Sequence, residues 1–160
     1  MHTLAGIGDL HRRCYLSYDA LLNHLATLPG GALSEKLELL GWQTILKTLQ
    51  HMADSEEFWI AWLQAGDMPT VAGHDIATLQ QARERFATVA ASTRAFLESL
   101  SDTQLNAPLT LRYEGGSFDT TPALALLHMA THGFHHKGTI ASACRLLGHA
   151  APDTDLNVAP

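Results

Sequence analysis

The chain has 160 residues, of which 46% are hydrophobic and 16% are charged, and its formal net charge is −6. This length and apolar content are enough to bury a hydrophobic core, which argues against a disordered protein. The negative charge argues against nucleic acid as a partner, because binding to a phosphate backbone is driven by Lys and Arg. We therefore expect one domain that spans residues 1–160.

No segment approaches the roughly 20 consecutive apolar residues of a transmembrane helix. Residues 1–13 lack the basic start, the apolar run and the small-residue cleavage site of a secretory signal. Cys14 and Cys144 lie far apart on predicted helices and do not form a disulfide framework. These features predict a cytoplasmic protein with no membrane partner.

Two amphipathic helices are predicted in the first half of the chain. The first helix ends at Pro29-Gly30-Gly31 and carries apolar residues in steps of three and four: Leu10, Cys14, Tyr18, Leu21, Leu25 and Leu28. The second helix spans about residues 43–64 and carries on one side Ile45, Leu49, Met52, Trp59 and Leu63.

A third helix begins at Thr78, because Gln81 completes a capping box with it. The alternating segment that follows, residues 109–118, predicts a small hairpin. The last helix begins with Thr121 as N-cap and Pro122 at the first helical position, and continues to residue 147. The expected fold is an all-α, antiparallel four-helix bundle with a short β-hairpin before the last helix. Such bundles can hold metal ions between facing helices.

The last predicted helix carries four histidines within nine residues: His128, His132, His135 and His136. Successive residues of an α-helix are rotated by about 100° around its axis, so His128, His132 and His136 share one face and His135 lies beside it. Apolar residues, Leu146 among them, fall on the same side, so we expect the imidazoles to point toward the core. Burying such rings without partners costs on the order of 1–3 kcal/mol each. A metal ion would replace that cost with bonds, and a His pair four residues apart is a spacing that metal sites use.

Catalytic zinc-type sites commonly take three protein ligands and leave one position open. The last helix can supply His132 and His136. His51, in the middle of the second helix, is the best third ligand, and His24 and His128 are the alternatives. We expect the histidines near termini or in loops to be solvated: His2, His11, His74 and His149.

Glu56 lies within the apolar stripe of the second helix, an unusual place for a carboxylate. It follows His51 by five residues, about 140° around the helix, so the two side chains are poorly placed to bind one ion. We expect Glu56 to form an ion pair with an arginine or lysine across the bundle or a subunit interface. The alternative is that Glu56 hydrogen-bonds to a metal ligand or transfers a proton.

The second helix, from Gly41 to Trp59, resembles the corresponding helix of the DinB/YfiT-like metal-dependent proteins. The stretch from Leu126 to Ile140 is similar to that family's His-x-x-x-His helix, and residues 146–156 fit its usual ending. The resemblance implies that one divalent ion, often nickel or zinc, is bound by His51, His132 and His136. It also implies a homodimer. Lys137 and Thr139 stand where the family commonly has an arginine and a glutamine.

Characterised members of that family include thiol-dependent transferases and isomerases. The resemblance therefore implies an enzyme in which the ion activates a small thiol, or water, for transfer to a small electrophilic substrate. The alternative is a non-catalytic metal-binding or stress-response module with a structural ion, whose fourth ligand would be His128 or His135.

A homodimer is also predicted from the faces of the helices. The second helix is apolar on more than one face, whereas a bundle needs only one apolar stripe on each helix. The last helix carries apolar residues on the side away from its histidines, which we expect to contribute to the dimer surface: Leu127, Ala130, Phe134 and Ala141.

Overall fold

The computed structural model describes residues 1–38, 40–70 and 72–156. Four long helices dominate it. Its elements, in chain order, are α1 (Leu4–Leu25), a 3₁₀ turn (Ala32–Ser34), α2 (Ile45–Ala65), α3 (Leu79–Glu98), α4 (Asp102–Leu105), β1 (Leu109–Tyr113), β2 (Gly116–Thr120) and α5 (Pro122–Leu146). The all-α bundle with a hairpin before the last long helix is confirmed, and the short helix α4 is an addition to the prediction.

The helix ends follow local capping chemistry. The capping box of Thr78 and Gln81 begins α3, and the Thr121 hydroxyl accepts a hydrogen bond from the Leu124 N–H at the start of α5. Helix α1 begins at Leu4, before the first residue of the predicted apolar repeat, because the hydroxyl of Thr3 caps it.

Helix α2 packs against α3 and α5, and α1 packs against α5 and α3. The hairpin adds to the core through Leu111, which is fully buried, and the Trp62 indole N–H donates to the Arg112 carbonyl at 3.1 Å. This support from α2 matters because an isolated two-stranded hairpin is marginally stable. Cys14 and Cys144 are both buried free thiols. In the described part of the chain no helix is long and apolar enough to cross a bilayer.

The predicted orientation of the last helix is partly wrong. His128, His135 and Leu146 are exposed rather than directed at the core. The opposite face is not free either, because α5 is covered from two sides, by α1 and α2. The residues of that opposite face belong to the hydrophobic core or pack against the core: Leu127, Ala130, Phe134 and Ala141. These four residues are therefore covered at least in part within the chain, and the homodimer itself stays a prediction.

Candidate metal centre

Three imidazoles from two helices meet where α2 faces α5. The Nε2 atom of His132 lies 3.2 Å from Nε2 of His51 and 3.1 Å from Nε2 of His136. One ligand atom from each ring lies within 4.8 Å of the other two. Two nitrogens bound to one zinc ion in tetrahedral geometry are about 3.3 Å apart. The separations therefore suit three nitrogens that share one ion.

The surroundings of His51 hold its ring in place. The indole of Trp42, just before α2, stacks on this imidazole with ring centroids 4.1 Å apart and planes inclined by 22°. On the next turn of α2, the Ser55 hydroxyl lies 3.3 Å from His51 Nδ1 and 3.5 Å from its Nε2. Stacking and this contact restrain the ring beside the other two imidazoles.

All three imidazoles are held in the neutral form at neutral pH. Burial, followed by repulsion from the neighbouring imidazoles, lowers the pKa of His132 and of His136 to about 4. Burial also lowers the pKa of His51, and the charge of Asp54 partly opposes this change. Because a metal binds the unprotonated nitrogen, the cluster needs no deprotonation before it binds an ion at neutral pH.

The donor set fits a divalent transition metal. Neutral imidazole nitrogens suit nickel and zinc alike, and the cluster lies between two rigid helices. His136 Nδ1 is buried and has no hydrogen-bond partner in the described residues, so no polar contact at this nitrogen holds the ring in place. The group of three contains no further His, Cys, Asp or Glu among the described residues.

The structure places the other predicted histidines elsewhere. His24 Nε2 contacts the Ala150 carbonyl at 2.9 Å, away from the cluster. His11 is buried, with its Nε2 3.1 Å from the Leu126 carbonyl, so its predicted solvation is wrong. The early start of α1 places this residue inside the helix and against α5. His128 and His135 lie beside the cluster, but their side chains are exposed.

Glu56 is buried, but its partners differ from those expected. The carboxylate atom Oε1 accepts hydrogen bonds from the hydroxyls of Tyr15, at 2.7 Å, and Thr93, at 2.6 Å. Its hydrogen bonds in the described part of the chain therefore come from α1 and α3 and not from an arginine or lysine. The sequence carried no signal for this pairing, because the two hydroxyls are distant in the chain.

A second group of acidic residues with a histidine was not anticipated. Asp54, Glu57 and His74 lie together, and the guanidinium of Arg85 donates to both carboxylates. With a cation already paired to both acids, this group is an ion-pair network that joins α2 to α3. The three-histidine cluster has no such internal cation.

Lys137 follows a ligand candidate in sequence but points away from the cluster. Its ammonium group donates to the Ser17 hydroxyl, lies 3.4 Å from the Asp155 carbonyl and lies 4.8 Å from the centre of the Phe134 ring. The side chain is fully buried. It thus joins α5 to α1 and to the C-terminal segment.

This fold and this site define a class of protein: a helical bundle with a three-histidine candidate metal centre between two of its long helices. The sequence profile of the DinB family matches residues 15–159, and the chain belongs to that family. The crystal structure of the DinB-like protein YjoA from Bacillus subtilis superposes with a TM-score of 0.61. The two chains are 18% identical, and the match covers 91% of this chain and 96% of that chain, so this likeness shows the fold alone. None of the curated proteins matches the sequence.

Proposed function

We propose that this protein is an enzyme that uses one divalent ion to activate a small thiol, or water, for attack on a small electrophilic substrate. One observation carries the proposal: three imidazoles converge without a fourth ligand residue among the described residues. Three protein ligands with an open position are typical of catalytic zinc-type sites, whereas structural sites are closed by four. A bound ion would act as a Lewis acid and would lower the pKa of a coordinated thiol or water.

The surroundings of the cluster also favour access by a small molecule. His51 and His132 are only half-buried. A depression of about 390 Å³ is lined by Ser55, whose hydroxyl contacts His51, and by Asp54, Phe58 and Trp59. Two aromatic side chains beside a carboxylate and a hydroxyl suit a small molecule, because ligand sites combine apolar walls with a few polar groups.

The ion is proposed to be nickel or zinc, the metals that imidazole donors serve well. The alternative function is a non-catalytic module with a structural ion. It would need a fourth ligand, and the nearest candidates, His128 and His135, have exposed side chains outside the group of three. This observation favours the enzymatic proposal over the structural one.

The test begins with elemental analysis of protein purified without a histidine tag, followed by titration with Ni²⁺ and Zn²⁺. We expect one ion per chain, and we expect His132→Ala to lose both the ion and any turnover. His128→Ala is the matched control on the same helix and should keep both. A wild-type chain that binds no metal, or a His132→Ala variant that binds it equally well, would contradict the proposed centre.

Activity is then measured with the metal-loaded protein, a panel of thiols (cysteine, glutathione and coenzyme A) and an activated chloroarene as electrophile. Metal-dependent thioether formation supports the enzymatic proposal, and so does metal-dependent hydrolysis of an activated ester. Metal binding without turnover in either assay, together with a large gain in thermal stability on binding, would favour the structural alternative.

A further inference from the structure

A small cavity separates the buried carboxylate of Glu56 from the three-histidine cluster. Its volume is about 10 Å³. A cavity needs roughly 10–15 Å³ to hold one water molecule, which must also find two to four polar partners there. Residues from all four long helices line the cavity, among them Tyr18, Glu56 and His132.

Two polar side chains that line this cavity can take a further hydrogen bond. The hydrogen bonds from Tyr15 and Thr93 both end on Oε1 of Glu56, which leaves Oε2 without a hydrogen bond from the described residues. Tyr18 is 3% exposed and also lines the cavity. Because buried polar groups are nearly always satisfied by protein or by ordered water, one water molecule suits this setting.

The Nδ1 atom of His132 lies on the side of the ring away from the cluster and would donate its proton to an acceptor there. The Nε2 atom of His132 faces the other two imidazoles, so binding of an ion there places the ring proton on Nδ1. Metal-binding histidines almost always donate that proton to a carboxylate, a carbonyl or water. The Ser55 hydroxyl lies beside the His51 ring, whereas no hydrogen bond from His132 Nδ1 is found among the described residues.

We propose that one water molecule in this cavity accepts a hydrogen bond from His132 Nδ1 and donates one to Glu56 Oε2. Glu56 is then a positioning residue: it orients His132 through the water and holds its Nε2 free for the ion. Tyr15 and Thr93 anchor the other carboxylate oxygen from α1 and α3. The inference deepens the proposed function and rests on the metal centre proposed there.

The test compares Glu56→Gln with wild type in a chelator competition assay for Zn²⁺. Glutamine keeps the size of the side chain and can accept the same two hydroxyls, but it presents a donor where Oε2 accepted. We expect Zn²⁺ affinity to fall roughly 10- to 100-fold, as is typical when a partner of a metal ligand is removed. The matched control is Glu84→Gln, the same change at an exposed carboxylate of α3 that does not line the cavity. It should change the affinity by less than threefold.

A crystal structure of the metal-free wild type at high resolution supplies the second measurement, which stands even if Glu56→Gln does not fold. Density for one water within hydrogen-bond distance of both Glu56 and His132 supports the proposal. A cavity without that water, or equal Zn²⁺ affinity in Glu56→Gln and wild type, overturns it. If the wild type binds no metal at all, the proposed function fails, while the crystal structure still decides whether the water is there.

Discussion

At the scale of single residues, Gly133 is the clearest case of a position fixed by its neighbours. It lies on α5 directly after His132, and a Cβ atom built on it would overlap the hydroxyl of Tyr18. A glycine costs a helix interior roughly 0.5–1 kcal/mol relative to alanine. At this position it lets α1 approach α5 closely beside the candidate metal centre.

We predict that Gly133→Ala destabilises the metal-free protein by about 1–3 kcal/mol, because the Tyr18 ring must move out of a packed position. The matched control is Gly138→Ala on the same helix, where a Cβ atom would meet open space. That control should be neutral or stabilising by up to about 1 kcal/mol, the gain in helix propensity. Urea unfolding measures both. Equal effects of the two substitutions would contradict the contact between Tyr18 and Gly133.

At the scale of elements, the site depends on two rigid helices that each begin with a threonine cap. Thr44 caps α2 by accepting a hydrogen bond from the Lys47 N–H, and Thr121 caps α5. His132 lies three turns into α5, far from the fraying end. The cap should therefore contribute to stability without setting the geometry of the ligands.

We predict that Thr121→Ala lowers the free energy of unfolding by about 1 kcal/mol, the usual worth of an N-cap. The affinity for Zn²⁺ should stay within twofold of wild type, because α5 keeps its packing around His132. Thr131→Ala is the control, since that hydroxyl is exposed and donates only to carbonyls of the preceding turn. Thermal unfolding and metal titration give the two readouts. A loss of affinity in Thr121→Ala as large as in His132→Ala would show that the helix start controls the site.

At the scale of the whole molecule, the cluster makes stability depend on pH. Folding lowers the pKa of His132 and His136 to about 4, while an unfolded histidine titrates near 6.5. Below about pH 6.5 the unfolded chain therefore takes up protons that the folded chain does not. Stability from these two groups is complete above that pH and is lost progressively as the pH falls toward 4.

We predict that chelator-treated wild type loses stability between pH 6.5 and 4, measured by urea unfolding across that range. His132→Ala should flatten this dependence, because one imidazole is gone and the repulsion that lowers the pKa of His136 is reduced. His128→Ala, which removes an exposed ring, should leave most of the slope. A wild-type stability that stays constant from pH 6.5 to 4 would contradict the burial of these imidazoles in neutral form.

The four long helices, the hairpin and most helix ends could be predicted from the sequence, because caps and apolar periodicity act between residues a few positions apart. The sequence also placed His132 and His136 on one helical face. Spacing alone left His24 and His128 as alternatives to His51, and the resemblance to a known family selected among them. These features could be predicted because each is encoded locally or in a short motif.

The partners of the buried polar side chains, which come from distant parts of the chain, became visible only in the packed fold. It gave Glu56 two hydroxyls in place of a cation, buried His11 against a carbonyl and left His128 exposed. It also paired Arg85 with two carboxylates of α2. The physical reason is common to all of them: helical periodicity states which side of a helix is covered, but the partner that meets a polar atom there depends on how separate helices are packed.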